Sequence, residues 1–187
     1  MTRRYWFPKH YADAVQRLRV TTGFALLAAF LYFAAPTRTA LIIGLPVSAL
    51  GLLLRAWAAG HLAKNEALVV SGPYSFTRNP LYLGSLLAAM GLALAGSSAL
   101  LAFLFGAVFL LVYCPVMEQE EQHLLNLFPG YEAYAGRVPL LLPGSSPYGP
   151  VGGFQWRLWR RNEEYRALVG FLAAAVYLFW RAGLLSQ

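Results

Sequence analysis

Two stretches of this chain concentrate side chains able to do chemistry. One covers 66–84 and reads EALVVSGPYSFTRNPLYLG. The other covers 118–134 and reads EQEEQHLLNLFPGYEAY, with Arg137, Val138 and Pro139 just behind it. In the first, Ser71-Gly72-Pro73 is turn chemistry, because glycine relaxes the backbone and proline fixes the next φ. Pro80 suits the first turn of a helix, where its missing N–H costs nothing. Arg78 and Asn79 therefore stand at a helix start, where free N–H groups, the helix dipole and a guanidinium together favour an anion such as a carboxylate or phosphate. The competing role for Arg78 is to anchor that helix end to a lipid phosphate.

The second stretch continues an apolar run into an acidic one, as a single long helix. Glu118 and Glu121 share a face, and Glu120 points elsewhere. A carboxylate facing a cleft holds a cationic or hydroxyl-bearing ligand; the alternative is a solvated helix face. Leu124, Leu125 and Phe128 give this helix an apolar side, and Tyr131 and Tyr134 read as packing residues. Arg55 lies inside an apolar segment, where a charge needs a purpose or a partner. His61 stands at the boundary of that segment and either lines a cleft or is a satisfied interfacial histidine. The single cysteine, Cys114, excludes an intramolecular disulfide, and no Cys/His group has zinc-ligand spacing.

These residues must be positioned by membrane helices. The chain has 187 residues, 58% apolar and only 12% charged, against about 25% charged in a soluble domain. A bilayer core needs about 20 apolar residues per helix. Five stretches approach this, at about 18–35, 40–63, 81–96, 99–117 and 167–185. The tight Gly96-Ser97-Ser98 link makes the third and fourth an antiparallel hairpin. The expected fold is all-α, a single polytopic domain. Its parts are 1–63 (basic segment and two spans), 64–143 (both motif stretches) and 144–187 (a Gly/Ser/Pro-rich loop and the last span). The basic segment and the apolar run behind it read as a retained anchor, since Pro36 would follow the cut of a cleaved signal. Gly44, Gly51, Gly60, Gly84, Gly91 and Gly96 suit close helix packing.

Basic residues fall mainly on one side: Arg3, Arg4, Lys9, Arg17 and Arg19, then Lys64 and Arg78, then Arg137, Arg157, Arg160, Arg161 and Arg166. Only Arg38 and Arg181 fall on the other. Basic loops stay cytoplasmic, so the amino terminus is expected inside and the carboxyl terminus outside. The formal charge of +7 then implies anionic membrane lipids rather than nucleic acid as partner. Tyr5, Trp6 and Phe7, and Phe154, Trp156 and Trp159 interleaved with arginines, fit the headgroup level.

Together the stretches 68–84 (LVVSGPYSFTRNPLYLG) and 120–128 (EEQHLLNLF), with Tyr134 and Arg137-Val138-Pro139, resemble the isoprenylcysteine carboxyl methyltransferase and phospholipid methyltransferase family of membrane enzymes. The resemblance covers roughly residues 40–143 and implies S-adenosylmethionine as cofactor, bound at the cytoplasmic ends of the later spans. It implies contacts from Leu68, Val69, Tyr74, Arg78, Asn79, Pro80, Leu81, Tyr82, Gly84, Glu120, Glu121 and Leu124. Arg78 and Glu120 are then the expected catalytic pair. The helix start at Arg78-Asn79-Pro80 would receive the methionine carboxylate, and Glu120 the ribose hydroxyls or ammonium. Arg55, His61, Tyr134 and Arg137 are the expected acceptor-side residues. Asn79 stands where the family often has histidine, and asparagine cannot titrate as a base. Val116 stands where isoprenylcysteine enzymes place an acceptor-holding arginine.

The expected activity is methylation of a carboxyl or amine on a lipid-like or isoprenoid acceptor. The rival readings are an NADPH-dependent sterol or isoprenoid reductase, which shares part of this pattern, and a non-enzymatic membrane scaffold. Oligomeric state is not legible in the sequence.

Overall fold

The computed structural model describes residues 6–185. Arg3, Arg4 and Tyr5 of the readings above, and the carboxyl-terminal Gln187, lie outside the described residues. Within them every regular element is helical. Four helices carry the fold: α1 (Lys9–Phe33), α2 (Arg38–Ala59), α3 (Pro80–Ala95) and α4 (Ala99–Leu127). Three short or terminal ones follow: α5 (Tyr131–Ala135), α6 (Trp156–Arg161) and α7 (Tyr165–Arg181). By length and composition α1, α2 and α4 can cross a membrane, while α3 is apolar but has 16 residues, about 24 Å of rise. Large apolar side chains such as Phe24, Leu50, Leu53, Phe103 and Leu110 are exposed on these helices, as a lipid-facing surface requires. Helix α1 starts at Lys9 rather than near residue 18. No breaker stands between Pro8 and the apolar run, so the basic segment simply extends the helix.

Helices α2 and α3 cross with their backbones nearly touching, because the crossing is made of small residues. Gly44, Ser48 and Gly51 of α2 face Gly84, Ala88, Gly91 and Ala95 of α3, and Ser48 Oγ donates to Ala88 O at 2.9 Å. A Cβ placed on Gly44 would lie 2.2 Å from Ala95 N, and one on Gly91 would lie 2.2 Å from Ser48 N. In lipid, where apolar burial gives helices no preference for each other, this fit drives association. Beyond it, Phe30, Leu41, Ala93, Leu101 and Leu178 form a buried cluster joining α1 to α4 and α7.

Helix α4 is one continuous element, as expected, with a π turn at Phe109–Tyr113. Pro115 follows that turn, and its missing N–H leaves the carbonyl four residues back, Leu111 O, without its helical donor. The Tyr11 hydroxyl of α1 donates to that carbonyl at 2.6 Å. The proline defect thus becomes a docking point for α1. Tyr11→Phe is expected to lower stability in detergent by about 1 kcal/mol, read as a drop in apparent thermal midpoint. The same change in a Pro115→Ala background, where the helix supplies its own donor, should have almost no effect; equal effects in both backgrounds would sink this account.

The segment behind α5 is ordered by backbone bonds rather than by helix or strand. Arg78 N donates to Pro139 O, Gly144 N to Phe76 O, Tyr148 N to Ser75 O, Gly72 N to Pro150 O and Gln155 N to Gly60 O, at 2.8–2.9 Å. The run 139–155 therefore lies antiparallel along 60–78. Gly72, at φ +58°, takes a left-handed backbone, and a Cβ there would sit 2.5 Å from the His61 ring.

Candidate functional site

A cavity of about 940 Å³ lies where α1, the ends of α2, α3 and α4, and the covers 62–69 and 128–134 converge. This is at the large end of ligand pockets, about 300–1,000 Å³. Both motif stretches reach its wall. Leu68, Val69, Tyr74, Arg78, Asn79, Pro80, Leu81, Tyr82, Glu120, Glu121 and Leu124 all line it, with Arg55 and Tyr134.

Two polar pairs organise the wall. Arg78 is largely enclosed and ion-paired to Glu121 at 2.5 Å (side chains 9% and 12% exposed), and Tyr131 donates its hydroxyl to the same Glu121 oxygen at 3.0 Å. Tyr82 donates to Glu120 at 2.9 Å. Glu118 turns away and accepts the Trp6 and Phe7 amides at 2.6 and 3.0 Å. The cavity is wide enough to take both Glu120 and Glu121, although they lie about 100° apart on the helix.

The first turn of α3 has no side-chain cap, so the Leu81 and Tyr82 amides lack helical partners. Asn79 does not cap it, because its side-chain amide donates to Leu140 O at 3.1 Å, and Thr77 Oγ1 donates to Leu141 O at 2.9 Å. Those two bonds fix the motif corner to the run behind Arg137-Val138-Pro139. Leu68, Val70, Leu124, Leu125 and Phe128 pack on buried Tyr131, Tyr134, Ala135 and Val138, giving the cavity an apolar roof. Burial holds the Tyr131 and Tyr134 phenols well above their ordinary pKa, so they stay protonated donors at neutral pH. The Tyr134 hydroxyl donates to Tyr74 O at 2.7 Å.

Three residues expected at the site stand off the wall. Gly84 lies in the α2–α3 crossing, where a Cβ would meet Gly51 O at 2.6 Å and Arg55 Cγ at 2.7 Å; its smallness serves packing. His61 is buried behind the wall with Nδ1 3.0 Å from Ser71 Oγ, and burial lowers its pKa. Arg137 sits over the Tyr148 ring, 5.8 Å from its centroid.

Other wall residues were not picked out in the sequence. Asp13, Gln16, Arg19 and Gly23 reach the cavity from α1, and Lys64, Ser85 and Gln119 from elsewhere. Asp13, the only aspartate in the chain, accepts from Gln119 Nε2 at 2.7 Å. Glu164, at the start of α7, is the partner that Arg55 required. Arg55 Nη2 and Nε meet its two oxygens at 2.6 and 3.1 Å. A charged residue inside a span was the signal to seek an acid near another helix end. Among the described residues no three His, Cys, Asp or Glu side chains gather as a metal centre.

The helices and the cleft define a multi-pass α-helical membrane protein with a cavity of mixed polar and apolar lining at one end of its bundle. The profile of the family described as phospholipid methyltransferase matches residues 19–130, and the chain belongs to that family. It is 36% identical over 110 residues to the cobalt-zinc-cadmium resistance protein CzcN of Cupriavidus metallidurans, covering 58% of this chain and 51% of the relative. It is 31% identical over 136 residues to the nickel-cobalt-cadmium resistance protein NccN of Alcaligenes xylosoxydans xylosoxydans, covering 68% and 62%. The chain thus spans about half to three-fifths of the length of these relatives. No solved structure matches.

Proposed function

We propose that this protein is an S-adenosylmethionine-dependent methyltransferase acting on a lipid-like or isoprenoid acceptor. The observation that carries the reading is the convergence of both motif stretches on one cavity, with Tyr82–Glu120 and Arg78–Glu121 on its wall. The wall suits the cofactor's parts. Glu120 accepts hydrogen bonds from hydroxyl or ammonium groups, the uncapped start of α3 takes a carboxylate, and Leu68, Leu124 and Phe128 offer apolar faces to an adenine ring. When bound, the cofactor supplies an electrophilic methyl on a sulfonium. The chain then has to orient the acceptor in line and keep water out, which is most of the catalytic gain in such a displacement. Arg78, ion-paired to Glu121, shapes the donor corner.

Calorimetry on detergent-solubilised protein tests this, with S-adenosylhomocysteine compared against NADPH. S-adenosylhomocysteine should bind and NADPH should not; the reverse would make the protein a reductase. Glu120→Ala should weaken S-adenosylhomocysteine binding by about 1.5–3 kcal/mol, the worth of a charged hydrogen bond. Glu118→Ala, whose partners among the described residues are the Trp6 and Phe7 amides, should change it far less. Equal small effects would remove Glu120 from the site.

The topology goes with this reading: five spans, amino terminus and cavity on the cytoplasmic face, and anionic lipids around the Phe154–Arg161 aromatic-basic segment. In a Cys114→Ser background in intact cells, an impermeant thiol reagent should label Gln187→Cys and spare Ser146→Cys. Equal labelling would overturn it.

A further inference from the structure

Arg55 stands on the cavity wall, at the junction of α2, α3 and α7. Beyond its two bonds to Glu164, its Nη1 reaches Leu81 O at 3.4 Å and the Ser85 hydroxyl. A guanidinium has five N–H donors in a fixed fork, and this geometry engages four of them with the chain's own oxygens. Glu164 is buried, with 8% of its side chain exposed, against 23% for Arg55. The other wall arginine, Arg78, is ion-paired to Glu121 through Nη1. The remaining wall cations, Arg19 and Lys64, are exposed, where water and salt screen them. The inner wall thus carries two guanidinium groups, and each is met by a carboxylate of the same chain.

We propose that Glu164 is a positioning residue that sets acceptor selectivity: by holding Arg55 in a two-point pair it withdraws that cation from the cavity. An acceptor whose head is a carboxylate therefore gains no advantage over one with an uncharged head. This rests on the methyltransferase reading for the word acceptor. The charge arrangement itself concerns any amphiphile entering the cavity. Glu164 comes from beyond the family-matched residues 19–130, so the start of α7, outside the motif core, sets the state of Arg55 on this wall.

The test uses the full chain in phosphatidylcholine nanodiscs and two probes with the same tail, N-acetyl-S-farnesylcysteine and its methyl ester. The readout is the ratio of their affinities, which a general loss of packing would not move. The wild-type chain should bind acid and ester within about threefold of each other. Glu164→Gln, which keeps the shape and removes the charge, should shift the ratio toward the acid by about tenfold. Glu164→Asp should keep the wild-type ratio, and Glu164→Gln combined with Arg55→Gln should restore it. Arg55→Gln alone should not move the ratio toward the acid. Three results overturn the proposal: no shift in Glu164→Gln, a shift that survives loss of Arg55, or an acid preference in the wild type that Arg55→Gln abolishes. S-adenosylhomocysteine binding, measured on the same samples, separates the two readings. Its absence in the wild type would sink the methyltransferase assignment, while the acid-to-ester ratio would still decide the role of Glu164.

Discussion

Arg78→Met is expected to abolish S-adenosylhomocysteine binding and to lower stability by about 3–5 kcal/mol, the usual cost of stripping one partner from a buried ion pair. The pair is deep on both sides. Without the guanidinium, Glu121 keeps the neutral Tyr131 hydroxyl but loses the cation that balanced its largely buried charge. That carboxylate then draws water in beneath the Tyr131–Tyr134 roof, which opens the covered end of the cavity. Removing both charges separates structure from site. Arg78→Met combined with Glu121→Leu should regain most of the stability, because an apolar pair of similar volume packs where the ions stood, yet should still fail to bind S-adenosylhomocysteine. Denaturation in detergent and calorimetry on the same samples read the two effects. If the double variant regains binding as well, Arg78 and Glu121 only hold the fold.

Gly91→Leu should be the most damaging substitution in the bundle. The first added carbon would come within 2.2 Å of Ser48 N and 2.6 Å of Ser48 Cα, so backbone rather than a mobile side chain must move. The helices would have to part along the whole crossing, giving up the Ser48–Ala88 bond and the seat of Arg55 beside Gly84. A cost above the usual overpacking range of about 1–3 kcal/mol follows. The folded protein should be absent from gel filtration after solubilisation. Gly106→Leu is the control, since a Cβ there meets nothing within 4 Å, and it should purify like the wild type. Normal recovery of Gly91→Leu would mean that α2 and α3 do not cross as described.

Much of this was legible in the sequence because lipid imposes simple rules. Apolar runs gave the helices, and Pro36, Pro80 and Gly96 gave their ends. Turn chemistry at Ser71-Gly72-Pro73 matched a short 3₁₀ turn at Gly72–Ser75. The convergence of the two motif stretches followed from their lying on the same side of the bundle. What stayed hidden was pairing. Arg55 announced a purpose or a partner, but nothing in the sequence distinguishes Glu163 from Glu164 as that partner, and only the fold brings Glu164 to it. Asp13 was invisible as a wall residue, because a helix beginning at Lys9 rather than at the apolar run was needed to carry it there. The role of Glu118 was hidden for the same reason, since its partners are backbone amides of a segment 111–112 residues away. Periodicity tells which side of a helix is apolar; it does not tell what stands opposite.

The π turn at Phe109–Tyr113 fixes a rotational phase. It absorbs one residue more than an α-helical turn would, and each residue in a regular helix advances the face by about 100°. Were those same residues wound as plain α-helix, everything beyond Cys114 would be turned by that angle relative to the apolar half that packs on α1. The Glu120 and Glu121 carboxylates would be swung around the helix axis from their present bearings. The widened turn acts as a one-residue spacer, matching the lipid-buried half of α4 to its acidic half as two faces that must point in independently chosen directions.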